Sequence, residues 1–305
     1  MITRVFSKSK PVNILLIILF IVLLFIFSNH QQLIASFSSA SKALLRLALS
    51  IFLVLLLNFI VTRNKLTKKN NYAILVFALL LSMFPQTFTN TNLLLAATSI
   101  MLAMRRLLSL HTNKAIMKKL FDAGFWMAVA TLFYFWSILF FALIIVALIY
   151  YSQNQVKNLI IPFVGFLCVL IILMSYNVLF HDVFIKPNDF VRLYSLEFAP
   201  FNTASGILKL TVVIVTLLWS LVYFFSHIQE KNKTIKPILF IMAWASILAV
   251  FVVIIAPFKN NGELIFLCVP LAVIMANYIQ DIQDIWFKEV FIGLYVLTPI
   301  LALFL

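Results

Sequence analysis

The chain is short of acid. Only nine of its 305 residues are Asp or Glu, and none precedes Asp122. Charged residues of both signs make up 10% of the chain and apolar ones 64%, with a mean hydropathy of +1.12. A soluble domain of this length needs far more charge to cover its surface, so a water-soluble globule is excluded. Cysteine is almost as scarce. Cys168 and Cys268 stand alone in apolar runs, without a CxxC partner or a nearby His, which leaves no metal, redox or cofactor motif. Both read as small core hydrophobes. Internal repeats, GxxxG pairs and low-complexity tracts are also missing, so paired broken helices of the inverted-repeat transporter type are not expected.

What the chain has in excess is apolar length and positive charge. Eleven apolar runs cover roughly residues 11–28, 43–61, 72–84, 91–104, 121–134, 136–151, 160–180, 207–226, 237–256, 264–279 and 289–305. The class is therefore all-α, a polytopic transmembrane helical bundle of about eleven helices forming a single domain over 1–305. The first run, opened by Pro11 behind a basic N-terminus, is about 17 residues long. That exceeds a signal-peptide core, so it reads as a retained helix. Runs 72–84 and 91–104 are short and fit either two full spans or a re-entrant hairpin. The stretch Phe121–Tyr151 fits either one long helix or a hairpin turning at Tyr134-Phe135-Trp136-Ser137. The hairpin is preferred because it puts aromatic rings at both interfaces.

Seventeen of the 23 Lys and Arg residues then fall in every second gap. They occupy the N-terminus, the gap at Arg63–Lys69, the gap from Arg105 to Lys119, Lys157, the gap at Lys231–Lys236, and Lys288. Basic loops are retained in the cytoplasm during insertion. This places the N-terminus inside, the C-terminus outside and the chain in a bacterial inner membrane. The same pattern accounts for the net charge of +14. Nucleic acid is not a partner, because the cations are spread as helix-end clusters and not gathered on one folded face.

Candidate chemistry is sparse. Spans carry neutral polar groups only, and Arg46 and Lys209, each within about a turn of an outer end, are placed to snorkel. Ion-coupled transport is disfavoured. Asp122 reads as a cap at a helix start, and Asp281 and Asp284 read as solvated interface charges. The outer loop from His181 to Gly206 holds His181, Asp182, Lys186, Asp189, Arg192 and Glu197, with Lys259 and Glu263 from a second loop. Carboxylates beside Arg and His at a membrane surface suit a lipid pyrophosphate headgroup and general-base chemistry. A self-paired solvated loop accounts for the same residues. Within this loop, 189–198 has the spacing of a short interfacial helix. On the inner side, Arg105, Arg106, Lys118 and Lys119, with Lys114, suit an anionic lipid or phosphorylated headgroup. The positive-inside bias alone also predicts them.

Three stretches carry a resemblance: Phe6–Asn13 (FSKSKPVN), Leu120–Trp126 (LFDAGFW) and Lys157–Phe166 (KNLIIPFVGF). Together they resemble an uncharacterised family of multi-pass inner-membrane proteins of Bacteroidota, over most of the chain. More loosely, the region from the Arg pair through 121–151 looks like GT-C type membrane glycosyltransferases and O-antigen polymerases. That likeness implies cell-envelope biogenesis and a polyprenyl-phosphate-linked glycan handled at the outer leaflet. GT-C enzymes carry an acidic residue in the first outer loop, whereas Asn29–Lys42 here has none. The likeness then implies either chemistry moved to the 181–206 loop or a non-catalytic subunit of a larger envelope complex, with membrane lipids and an envelope protein as partners.

Overall fold

The computed structural model describes residues 2–151, 153, 155–184, 194–233, 235–257 and 259–305. Among these, every regular element is helical: α1 (Ile2–Phe6), α2 (Pro11–Ala35), α3 (Phe37–Arg63), α4 (Tyr72–Met83), α5 (Thr91–Leu108), α6 (Ile116–Phe133), α7 (Ala142–Tyr150), α8 (Val156–His181), α9 (Ala204–His227), α10 (Lys236–Ile255), α11 (Ile265–Asp281) and α12 (Ile285–Leu301). Each expected apolar run falls on one of them, except that 136–151 is divided between a 3-10 segment (Phe135–Phe141) and α7. Among the described residues, seven segments built on α2, α3, α5, α8, α9, α10 and α11 are long and apolar enough to cross a membrane. With no strand, the backbone groups of these segments are satisfied within each helix, as a hydrocarbon environment demands.

Two helices form the centre. α11 is buried from Ile265 to Ile279, and α4, buried at all but one residue, packs along it. Both read as hydrophobic all round, which fits helices enclosed by other helices. α2, α3, α5, α9, α10 and α12 surround them. α4 has 12 residues, about 18 Å of helix, short of a 30 Å core. The 3-10 turn Pro85–Phe88 extends it. Tyr72 donates to the Thr3 carbonyl at one end (3.1 Å), and Gln86 lies beside Gly262 at the other.

α8 is the outlier, packed mainly on α6, and glycine makes that approach possible. A Cβ on Gly124 would stand 2.1 Å from the Pro162 carbonyl oxygen, and one on Gly165 2.4 Å from that of Phe121. Two of the three stretches that carry the family resemblance thus pack on each other. The third is also structural. Phe6 O accepts from Asn71 N (3.0 Å), Lys69 O accepts from Ser9 N (3.1 Å), and Asn13 Nδ2 donates to Val5 O and Lys8 O (both 3.0 Å). These bonds fasten the N-terminus to the start of α4.

Several expectations change. The first outer loop, Asn29–Lys42, is almost entirely helical. α2 and α3 are separated by Ser36 alone, whose side chain forms a reciprocal capping box with Ser39. Arg46 consequently does not reach water. It is 6% exposed and donates to Gln32 and, at 3.5 Å, to Asn29, both on α2. Asp122 does not cap a helix, because α6 begins at Ile116 and leaves Asp122 in its second turn. The hairpin turn coincides with a real break: α6 stops at Phe133, Tyr134 is extended, and a 3-10 segment runs from Phe135 to Phe141. Of the proposed interfacial helix at 189–198, residues 189–193 lie outside the described residues, and 194–198 are not helical.

Candidate functional site

Contacts sort the loops into two groups. Lys68 and Lys231 both pair with Asp281 (3.3 and 2.5 Å), Glu289 accepts from Thr3 N (3.1 Å), and Gln153 donates to Asn113 (3.1 Å). Together with the bonds at Ser9 and Asn71, these contacts gather the basic gaps at one end of the bundle. Asp281, expected to be solvated, is instead the shared acceptor for two lysines.

A cavity at that end is built where α5 meets α6. α5 closes with Arg105 and Arg106 in its last turn, and Ser109–Thr112 tightens into a 3-10 turn. Asn113 and Ala115 then adopt left-handed backbone (φ 53° and 50°), which folds the loop back before α6 starts. Lys119 fixes this loop by donating to Ser109 O (2.5 Å) and Thr112 Oγ1 (2.7 Å). The Arg105 guanidinium lies 4.6 Å over the Phe59 ring, and Arg106 Nε is 2.9 Å from Asp122 Oδ2. Arg63, Asn64, His111 and Lys114 complete the lining of a cavity of about 530 Å³, the size of a small-ligand site.

Five fixed cations line this pocket and one carboxylate reaches it, through Arg106. Burial and the neighbouring Arg106 lower the proton affinity of Lys119, which precedes the apolar part of α6. An unbalanced cation cluster with hydroxyl and guanidinium donors is suited to a phosphate. Of the four residues expected here, the structure brings together Arg105, Arg106 and Lys119. Lys118 is exposed on the first turn of α6 and does not line the cavity.

The opposite end is organised by burial. Lys259 is 1% exposed, donates to the carbonyls of Ser195 and Ala256, and lies 4.6 Å from the Phe198 ring centroid. Glu263, in the 3-10 turn that leads into α11, is 3% exposed. Among the described residues its Oε2 has no hydrogen-bond partner; nor do Asn261 Oδ1, Tyr134 Oη and Ser137 Oγ, all buried. Tyr134 packs on Phe266, in the first turn of α11, with ring centroids 5.4 Å apart, which puts it at the same end as Glu263. A carboxylate oxygen, an amide oxygen and two hydroxyls are thus buried without partners among the described residues, whereas most buried polar groups have one.

Of the remaining expected site residues, the three that are described are not enclosed. His181 is exposed at the end of α8 against Tyr176, Asp182 is exposed with left-handed backbone (φ 52°), and Glu197 is exposed. Asp189 and Arg192 lie outside the described residues. Sequence reading grouped Lys259 and Glu263 with this loop but missed that these two are enclosed, unlike Asp182 and Glu197. Tyr134 and Ser137 were visible only as turn residues.

An all-helical chain with seven segments long and apolar enough to cross a membrane is a multi-pass membrane protein. More narrowly, it belongs to a family of unknown function, DUF6427, whose model matches residues 1–305. No curated protein and no solved structure matches the chain.

Proposed function

We propose that the chain is an inner-membrane protein of cell-envelope biogenesis that binds a phosphorylated lipid headgroup in the basic pocket. In this reading all eleven apolar helices cross the bilayer, with the N-terminus cytoplasmic and the C-terminus outside. The carrying observation is the surplus of cations around the 530 Å³ cavity at the end where the basic loops meet. Basic pockets beside membrane helices suit anionic headgroups on the cytoplasmic side. The natural narrower ligand is a polyprenyl-phosphate-linked glycan, in line with the looser GT-C resemblance. Its handling at the outer leaflet would draw on the orphaned polar atoms around Glu263 and on the loop bearing Asp189, Arg192 and Glu197.

The test is direct binding. Purified protein titrated with polyprenyl phosphate should bind it, and Arg105→Ala with Lys119→Ala should weaken that binding without loss of the folded state. Equal binding by wild type and the double variant would overturn the pocket assignment. Orientation is read separately by Lys65→Cys, an exposed position that should be labelled only from the cytoplasmic side. The outer-leaflet form predicts that replacing Asp189, Arg192 and Glu197 together with Ala impairs glycan assembly at normal expression.

A non-catalytic subunit is the second reading. It is favoured by α8, most of whose surface lies outside the bundle, with Phe163, Leu167, Ile171 and Ile172 exposed. A stoichiometric envelope protein recovered on gentle extraction, and lost when Ile171 and Ile172 are changed to Ala, would support it.

A further inference from the structure

A second cavity of about 340 Å³ lies between α2, α4, α9 and α12, near the end opposite the basic loops. Its walls are apolar: Phe20, Leu24 and Phe27 from α2, Leu79 from α4, Val296 and Ile300 from α12. Two hydroxyls enter it, but Ser28 donates to Leu24 O (2.9 Å) and Ser82 to Leu79 O (2.6 Å), so both are satisfied by their own helices. Pro85 and Pro299, which interrupt regular helix, also face it. One charge remains. Lys209, half-buried in α9, lines the cavity and has no acidic or hydrogen-bonding partner among the described residues.

A cation held in apolar surroundings without a partner calls for an anion, and a lipid-facing groove calls for a hydrocarbon chain. We propose that this groove seats one anionic phospholipid, with its acyl chain along α2 and α12 and its phosphate on Lys209. Charge complementarity selects an anionic headgroup over a zwitterionic one, because no carboxylate in the groove offers a site for choline. This site is separate from the basic pocket and does not depend on it.

The experiment uses the full chain in nanodiscs containing phosphatidylglycerol with a photoactivatable acyl chain, or the equivalent phosphatidylcholine. Cross-links mapped by peptide mass spectrometry to Phe27, Val296 or Ile300 report the groove, whereas those at 109–119 report the basic pocket. Phosphatidylglycerol should label the groove in preference to phosphatidylcholine. Lys209→Gln should reduce that labelling about fivefold, the effect of one lysine near a charged headgroup. Lys209→Arg should preserve it. Equal labelling by the two lipids, or undiminished labelling in a folded Lys209→Gln protein, would overturn the proposal. If Lys209→Gln does not fold, the comparison of the two lipids in wild type decides alone.

Discussion

The two ends of the bundle use positive charge in opposite ways. At the basic end the cations are many, partly hydrated and opposed by few acids, and they surround an open cavity. At the other end Lys259 is enclosed and spends its protons on backbone carbonyls, close to a buried carboxylate. A hydrated cation remains available to a ligand, whereas an enclosed one is committed to the fold. The distinction does not follow from residue type, since lysine serves in both places.

The contrast can be broken most sharply at Lys259. Lys259→Met leaves the Ser195 and Ala256 carbonyls without their donor and Glu263 without its nearby cation. The expected cost is about 3 kcal/mol, seen as a lowered unfolding temperature in detergent. A stability unchanged from wild type would mean that this end is as hydrated as the other. Away from both ends, Gly124→Val drives a side chain into the Pro162 carbonyl and should cost about 2 kcal/mol by separating α6 from α8. Pocket occupancy should be unaffected wherever that variant folds.

At the basic end the effects should appear in binding and not in folding. Lys119→Ala should weaken phosphate-headgroup binding about fivefold. The pH dependence has a defined sign. Phosphate favours the protonated ammonium, so affinity should fall as the pH rises through the lowered pKa of Lys119, at a less alkaline pH than an ordinary lysine gives. Arg105 and Arg106 stay charged throughout, and Lys119→Arg should remove the decline. The smallest effect belongs to Lys118→Ala. Its side chain is exposed and outside the cavity, so headgroup affinity should match wild type in the same titration.

Much of the architecture was legible because insertion leaves its record in composition. Apolar length marked each helix, and the alternation of basic gaps anticipated which loops would meet. What composition does not encode is depth. Glu263 and Lys259 sit in a short polar loop whose residues look solvated, and only the packing of the 85–88 turn and the loop at 195–198 encloses them. Asp122 was misjudged because a helix start was inferred from hydropathy, whereas 116–119, with its two lysines, already forms the first turn. The loop Asn29–Lys42 misled for the same reason: polar side chains there line two long helices. Among the pocket residues, Arg105, Arg106 and Lys119 were identifiable from charge. The contributions of Phe59 and Arg63, from another helix, required the fold.

The placement of α11 also sets an order of assembly. It emerges only after α1–α10, yet it occupies the centre of the bundle, buried from Ile265 to Ile279. Helices α4, α5, α9 and α10, made before it and packed against it, therefore cannot complete their packing as they enter the bilayer, and α4 must wait for the neighbour that covers it. Nascent chains halted before Ile265 should keep α4 exposed to lipid or to an insertion factor until the centre arrives.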